Sequence, residues 1–168
     1  MEPSIKIVTL FSAILISGLS AGFFYAWEVS VIPGTKQISD RSYLEVMQSI
    51  NRAILNPAFF VIFIGSLLLL IVSSYMQYRA SVNLSFWLML GATLTYLAGT
   101  FGVTVSGNVP MNETLDALNL AEITTDGLKD IRISFEGKWN QLHRIRTVFA
   151  VLSFVLSLVA AFVEKSNN

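Results

Sequence analysis

Gly137-Lys-Trp-Asn-Gln-Leu-His-Arg-Ile-Arg-Thr147 runs without a break into an apolar stretch that ends at Val163. At helical spacing Glu136, Asn140, His143 and Thr147 share one face, with Trp139 and Arg146 flanking it. The apolar run from Thr147 to Val163 is slightly shorter than the roughly 20 residues that cross a bilayer core. Arg146 is therefore drawn to headgroup level or below, with His143 beside it. Ionisable groups at that depth usually face a bundle interior and are paired, which makes this stretch the first candidate for a site. It also holds the chain's only histidine.

Composition extends that reading to the whole chain. Of 168 residues, 54% are hydrophobic and 13% charged, with a mean hydropathy of +0.63. This lies well outside the balance of a soluble domain and indicates one integral membrane domain over residues 1–168, with the lipid bilayer as its first partner. Eleven basic residues cancel eleven acidic ones, so no nucleic-acid partner is expected. The absence of cysteine removes disulfides, thiolate metal sites, iron–sulfur clusters and cysteine nucleophiles together.

Apolar runs place four spans at about residues 5–27, 58–78, 84–105 and 147–163, with structured connections at about 33–57 and 106–146. The predicted fold class is all-α: a four-helix transmembrane bundle with amphipathic helices in the two long connections. Four spans put both termini on the same side of the membrane. The first span is read as an uncleaved helix, since it is longer than a signal-peptide core and lacks a clean small-residue cleavage site. Gly18 and Gly22 provide a spacing for close helix approach. Glu28 follows Ser17, Ala21 and Phe24 at helical spacing and falls on the inward face near the boundary; a solvated interfacial carboxylate is the alternative.

Pro33-Gly34 is expected to break the chain. From Asp40 to Leu55, Tyr43, Met47, Ile50 and Ile54 form an apolar stripe, with Ser42 and Glu45 in capping-box spacing. Gln48, Arg52 and Asn56 follow at steps of four, with Asn51 beside them. They form either a polar boundary ahead of Pro57 or a cluster aimed at the same mouth as His143. In the third span Tyr96, Thr100, Thr104 and Asn108 recur every four residues and predict an inner wall, its threonines bonded to their own backbone. Ser106 to Thr114 is expected to be a structured loop: a turn at Gly107-Asn108, Val109 extended before Pro110, and Asn112 capping a helix from Glu113. Asp126-Gly127 closes the connection, and Ile131-Arg-Ile-Ser-Phe135 suits a strand or a helix equally.

Gly22-Phe-Phe-Tyr-Ala26, Val31-Ile-Pro-Gly34, Met47-Gln-Ser-Ile-Asn-Arg-Ala-Ile-Leu-Asn-Pro57, Gly107-Asn-Val-Pro-Met-Asn112 and Trp139-Asn-Gln-Leu-His-Arg-Ile-Arg-Thr147 together resemble the membrane-protein family that includes the fungal anthrone oxygenases. The resemblance covers nearly the whole chain. It implies a four-helix membrane protein and, in the characterised branch, oxygenation of polycyclic anthrones to anthraquinones without an obvious bound cofactor. Glu28 departs from the family pattern, which leads one to expect a small neutral residue.

Two function classes follow. In the first, a membrane oxygenase acts on a hydrophobic aromatic small molecule with molecular oxygen as co-substrate. His143 is the base, since imidazole exchanges protons near neutral pH. Asn140 or Glu136 orients it, and Arg146, Arg52, Asn108 and Asn112 stabilise an enolate oxygen. Asn51, Asn56, Trp139 and Glu28 complete the candidate substrate-binding set. In the second, the same polar groups fasten the connections to the bundle, and the protein is a non-catalytic module binding a lipid, a quinone or a partner protein. A homo-oligomer stays open in either. No resident cofactor is predicted: one histidine with Glu28, Glu113, Asp116 or Glu136 lacks any metal-ligand spacing, which also argues against haem. No phosphate-binding glycine loop or hydrolase nucleophile motif is present.

Overall fold

The computed structural model describes residues 5–166, and every regular element among them is helical. Helix α1 (Ile5–Ala26) continues through a π segment, Trp27–Val31, into a last α turn, Ile32–Thr35. Helix α2 (Asp40–Ala53) follows, then α3 (Pro57–Ala80) and α4 (Leu84–Thr95). Two π segments, Tyr96–Gly102 and Thr104–Asn108, carry α4 on into α5 (Val109–Asp116). A 3-10 turn, Leu120–Glu122, leads to α6 (Thr125–Ser166). Four of these helical stretches, Ile5–Thr35, Pro57–Ala80, Leu84–Asp116 and Thr125–Glu164, are long and apolar enough to cross a membrane.

The first, third and fourth outrun their expected ends. At 42 residues, α6 is about 63 Å long, roughly twice a bilayer core of about 30 Å. Its N-terminal half therefore projects beyond the apolar zone. Residues 131–135 are helical, and Asp126-Gly127 lies in the first turn of α6 instead of closing the connection. Apolarity marks where lipid ends. The helix continues because a second core covers its next turns.

That second core joins Tyr43, Leu44 and Met47 of α2 to Leu115, Leu120, Leu128, Phe135 and Trp139. It forms a cap on the bundle. The bundle core itself contains Leu10, Ala13, Phe24, Phe63, Leu70, Met89, Tyr96, Ala150 and Ala160. Outward-facing Phe11, Leu15, Leu19, Leu68, Leu94, Val148 and Phe162 stay exposed, an apolar belt that water would not tolerate and lipid does.

The expected loop at 106–114 is helical. Val109 has φ −61° and ψ −52° instead of extended geometry, and Asn112 lies inside α5 instead of capping it. Each of two π segments ends two residues before a proline, Pro33 or Pro110. A proline ring clashes with the carbonyl four residues back, here Val29 or Ser106, and the widened turn makes room for it. The chain thus passes Pro33 without breaking and ends its helix at Thr35. The wide turns also keep Tyr96, Thr100, Thr104 and Asn108 on one inner face, where all four are buried as their spacing predicts.

Caps and clamps fix the connections. Ser39, and not the expected Ser42, caps α2 by accepting the Ser42 N–H at 3.2 Å. Asn56 caps α3 by accepting the Phe59 N–H at 3.0 Å. Gln48 donates to the Leu115 and Leu118 carbonyls at 2.8 and 3.0 Å, tying α2 to the end of α5. Arg132 donates to Glu136, Asp40 and the Ile38 and Thr35 carbonyls, and lies 4.5 Å over the Tyr43 ring. Burial, with Glu136 nearby, pushes the Tyr43 phenol well above its ordinary range, so it stays neutral beneath that guanidinium.

Close approach of α6 to the two π segments that follow α4 depends on glycine. A Cβ on Gly99 would lie 2.0 Å from Phe149 Cγ, and one on Gly107 would lie 2.9 Å from a Leu142 methyl. Of the glycine pair in α1, Gly18 packs on Phe154 while Gly22 meets nothing within 4 Å.

Candidate functional site

The junction between bundle core and cap core holds the most unusual polar group in the protein. Arg146 is 8% exposed, and among the described residues no carboxylate lies within ion-pair distance of it. Its guanidinium donates from Nε and Nη2 to His143 Nδ1 at 3.2 and 3.0 Å, and from Nη1 to Thr104 Oγ1 at 3.4 Å. It sits 4.8 Å over the Phe24 ring and 5.2 Å over the Trp139 ring. Ring faces replace a counter-ion here, a weak substitute for a carboxylate in a desolvated setting.

His143, 1% exposed, has its tautomer assigned by these partners. Nδ1 accepts from Arg146, so it carries a lone pair. Nε2–H faces the Phe24 carbonyl at 3.1 Å, with Thr147 Oγ1 at 3.3 Å. Thr147 spends its own proton on the His143 carbonyl at 2.8 Å, which leaves its oxygen free to accept. The Trp139 indole stacks on the imidazole, 4° from parallel with centroids 5.3 Å apart. Asn112 in turn accepts the Trp139 Nε1–H at 2.7 Å.

Of these residues Phe24, Thr104, Asn112, Trp139, His143 and Arg146 line a cavity of about 420 Å³, a size that suits a small organic ligand. Phe23, Phe24 and Trp27 of α1 and its extension, Phe59 of α3 and Trp139 of α6 supply aromatic walls. Ile50 of α2, Ile54 and Leu55 just beyond it, and Val109 and Ala117 add to the apolar lining. The outer rim is polar, and there Arg52 pairs with Asp116 across the gap between α2 and α5 at 2.5 Å.

The structure gathers six of the ten sequence candidates on this cavity: His143, Arg146, Trp139, Asn112, Asn51 and Arg52. Four lie off its lining. Asn56 serves as the α3 cap. Asn108 is fully buried and donates to the Trp139 carbonyl at 3.3 Å, supporting the wall from behind. Asn140 is half-buried, and neither it nor Glu136 orients His143, because Phe24, Arg146 and Thr147 take the ring nitrogens while Glu136 holds Arg132. Glu28 does not line the cavity; its Oε2 lies 3.9 Å from His143 Nε2, and Arg144 donates to its Oε1 at 3.2 Å.

Sequence reasoning missed Thr104, expected only to bond its own helix. It does bond the Thr100 carbonyl, at 2.7 Å, and also accepts from Arg146. Thr100 instead donates across to the Arg146 carbonyl at 3.3 Å. It missed the Phe24 carbonyl too, since no side-chain pattern marks a backbone acceptor. The available signal was the proline spacing, because the π segments ahead of Pro33 and Pro110 carry Trp27, Glu28 and Thr104 to the site. Among the described residues no three His, Cys, Asp or Glu side chains gather as metal ligands.

A family model described as anthrone oxygenase matches residues 59–156, more than half of the chain and the part that carries Thr104, Asn112, Trp139, His143 and Arg146. No curated protein and no solved structure matches.

Proposed function

This chain belongs to the anthrone oxygenase family, and from that membership and the cavity over His143 we propose that it oxidises a hydrophobic aromatic carbon acid with molecular oxygen. The observation that carries the reading is the buried Arg146 guanidinium, which faces an aromatic cavity with no carboxylate partner and has a neutral imidazole beside it. An enolate oxygen supplies the missing charge.

The chemistry is written for an anthrone-like methylene flanked by aromatic rings. As the substrate oxygen takes the Arg146 guanidinium, His143 Nδ1 is uncovered. The C–H bond breaks, its proton goes to Nδ1, and the electron pair delocalises onto the enolate oxygen held by Arg146. The carbanion reduces O2 and bonds to it, and His143 returns the proton to the peroxide. The resulting hydroperoxide loses water, so that one O2 is consumed and one carbonyl and one water are formed. No resident cofactor enters this scheme. The four helices hold the site at the membrane boundary with both chain ends on one side, a reading supported by the Lys6–Glu164 ion pair between α1 and α6.

Oxygen uptake and quinone formation by purified protein with anthrone test the proposal. His143→Ala is expected to lower the rate by about 10²–10⁴-fold, the usual worth of a positioned base. Gln141→Ala, on the exposed face of the same helix turn, is expected to keep the wild-type rate. Equal rates in the two variants remove His143 from the mechanism. A second reading, a module that holds a lipid or quinone without turnover, is favoured by the engagement of both His143 nitrogens. A co-purifying apolar ligand and no oxygen uptake would select it.

A further inference from the structure

Glu28 presents a contradiction that the fold alone does not resolve. Its Oε1 is held by Arg144 Nε, yet its Oε2 is buried, has no hydrogen-bond partner and points to within 3.9 Å of His143 Nε2. A carboxylate serving only to fasten α1 to α6 would place both oxygens on the arginine fork, the stronger arrangement. A buried oxygen without a donor costs stability and requires a reason.

We infer that Glu28 is the positioning residue and counter-charge for the imidazolium that His143 becomes when it takes the substrate proton. This rests on the proposed role of His143 as base. When Nδ1 gains a proton, the ring acquires a positive charge in a setting where Arg146 already supplies one. Trp27, Phe24 and Trp139 pack around the ring and offer no anion. Among the described residues Glu28 is the only carboxylate within 4 Å of it. The Nε2–H then swings from the Phe24 carbonyl toward Oε2 and strengthens into a charge-assisted bond, while the proton stays on nitrogen. Arg144 keeps Oε1 occupied and Oε2 turned inward.

An opposite charge within about 4–6 Å shifts a proton equilibrium by one to three powers of ten. Because Arg144 shares this carboxylate, the effect is expected at the lower end, about tenfold.

The test uses anthrone bound without oxygen to full-length protein, ¹⁵N-labelled at histidine and purified on a tag that contains none. His143 is the only histidine, so it gives one pair of ring signals. In the wild type, enolate absorbance and imidazolium signals should rise together. Glu28→Gln is expected to lower the enolate-to-anthrone ratio about tenfold, and Glu28→Asp to recover most of it. Arg144→Gln, which breaks the same tie but leaves the carboxylate, should lower it by less than about threefold, since exposed pairs contribute little. If Glu28→Gln does not fold, Glu28→Ala makes the same comparison. An undiminished enolate in the neutral variants overturns the role of Glu28 and leaves His143 as base. So does an Arg144→Gln loss as large as that of Glu28→Gln, which would assign Glu28 to fastening alone. Wild-type protein that binds anthrone with no enolate removes the base, and this inference with it.

Discussion

Arg146→Met is expected to slow oxygenation by about 10²–10³-fold while leaving the protein about as stable as the wild type. The substitution removes two cation–π contacts, with Phe24 and Trp139, each contributing about 0.5–2 kcal/mol. It also leaves His143 Nδ1 without its donor, at about 1–3 kcal/mol. Against this, it relieves a cation buried to 8% exposure with no carboxylate, whose desolvation costs several kcal/mol. The unbranched methionine fills the space of the arginine stem. The terms offset to within about 2 kcal/mol, which for a chain of this length moves the melting temperature by less than about 8 °C. Losing the group that holds the enolate oxygen, by contrast, should slow turnover by about 10²–10³-fold. Circular-dichroism melting in detergent and oxygen uptake with anthrone, on the same preparation, measure both. A melting point more than about 15 °C lower, or wild-type turnover, refutes the assignment: the first would make Arg146 a fastener, the second a bystander.

Gly99→Ala should destabilise by about 1–3 kcal/mol, since its methyl would overlap the Phe149 ring and push the π segment away from α6. Gly22→Ala, which meets nothing within 4 Å, is the matched control, and equal melting of the two variants would dismiss the close approach. Arg132→Ala frees Asp40, Glu136 and two carbonyls at once and should cost the cap about 2–4 kcal/mol, between the values of exposed and buried ion pairs. Faster amide exchange in α2 and the first turns of α6, with the bundle core still protected, is the expected pattern; uniform loss of protection would show that cap and bundle unfold as one.

The number of spans and the helical class were legible in the residues themselves, because the length of an apolar run is a one-dimensional quantity that bilayer thickness converts directly into crossings. The inner face of Tyr96, Thr100, Thr104 and Asn108 was legible for a similar reason, as a local period. The helix ends were not. Val109 and Pro110 carry the local marks of a loop, yet they are helical because a wide turn absorbs the proline and the cap core buries Leu115 just beyond. Only packing between segments far apart in the chain could decide that, and it also sorted the polar residues. Asn56 and Arg52 follow one another at a single helical step, but one caps a helix and the other meets Asp116 at the cavity rim. His143 and Arg146 were identifiable as deep and polar from the sequence. That the imidazole answers to a carbonyl in α1, and the guanidinium to ring faces instead of a carboxylate, depends on where the helices cross, which no periodicity encodes.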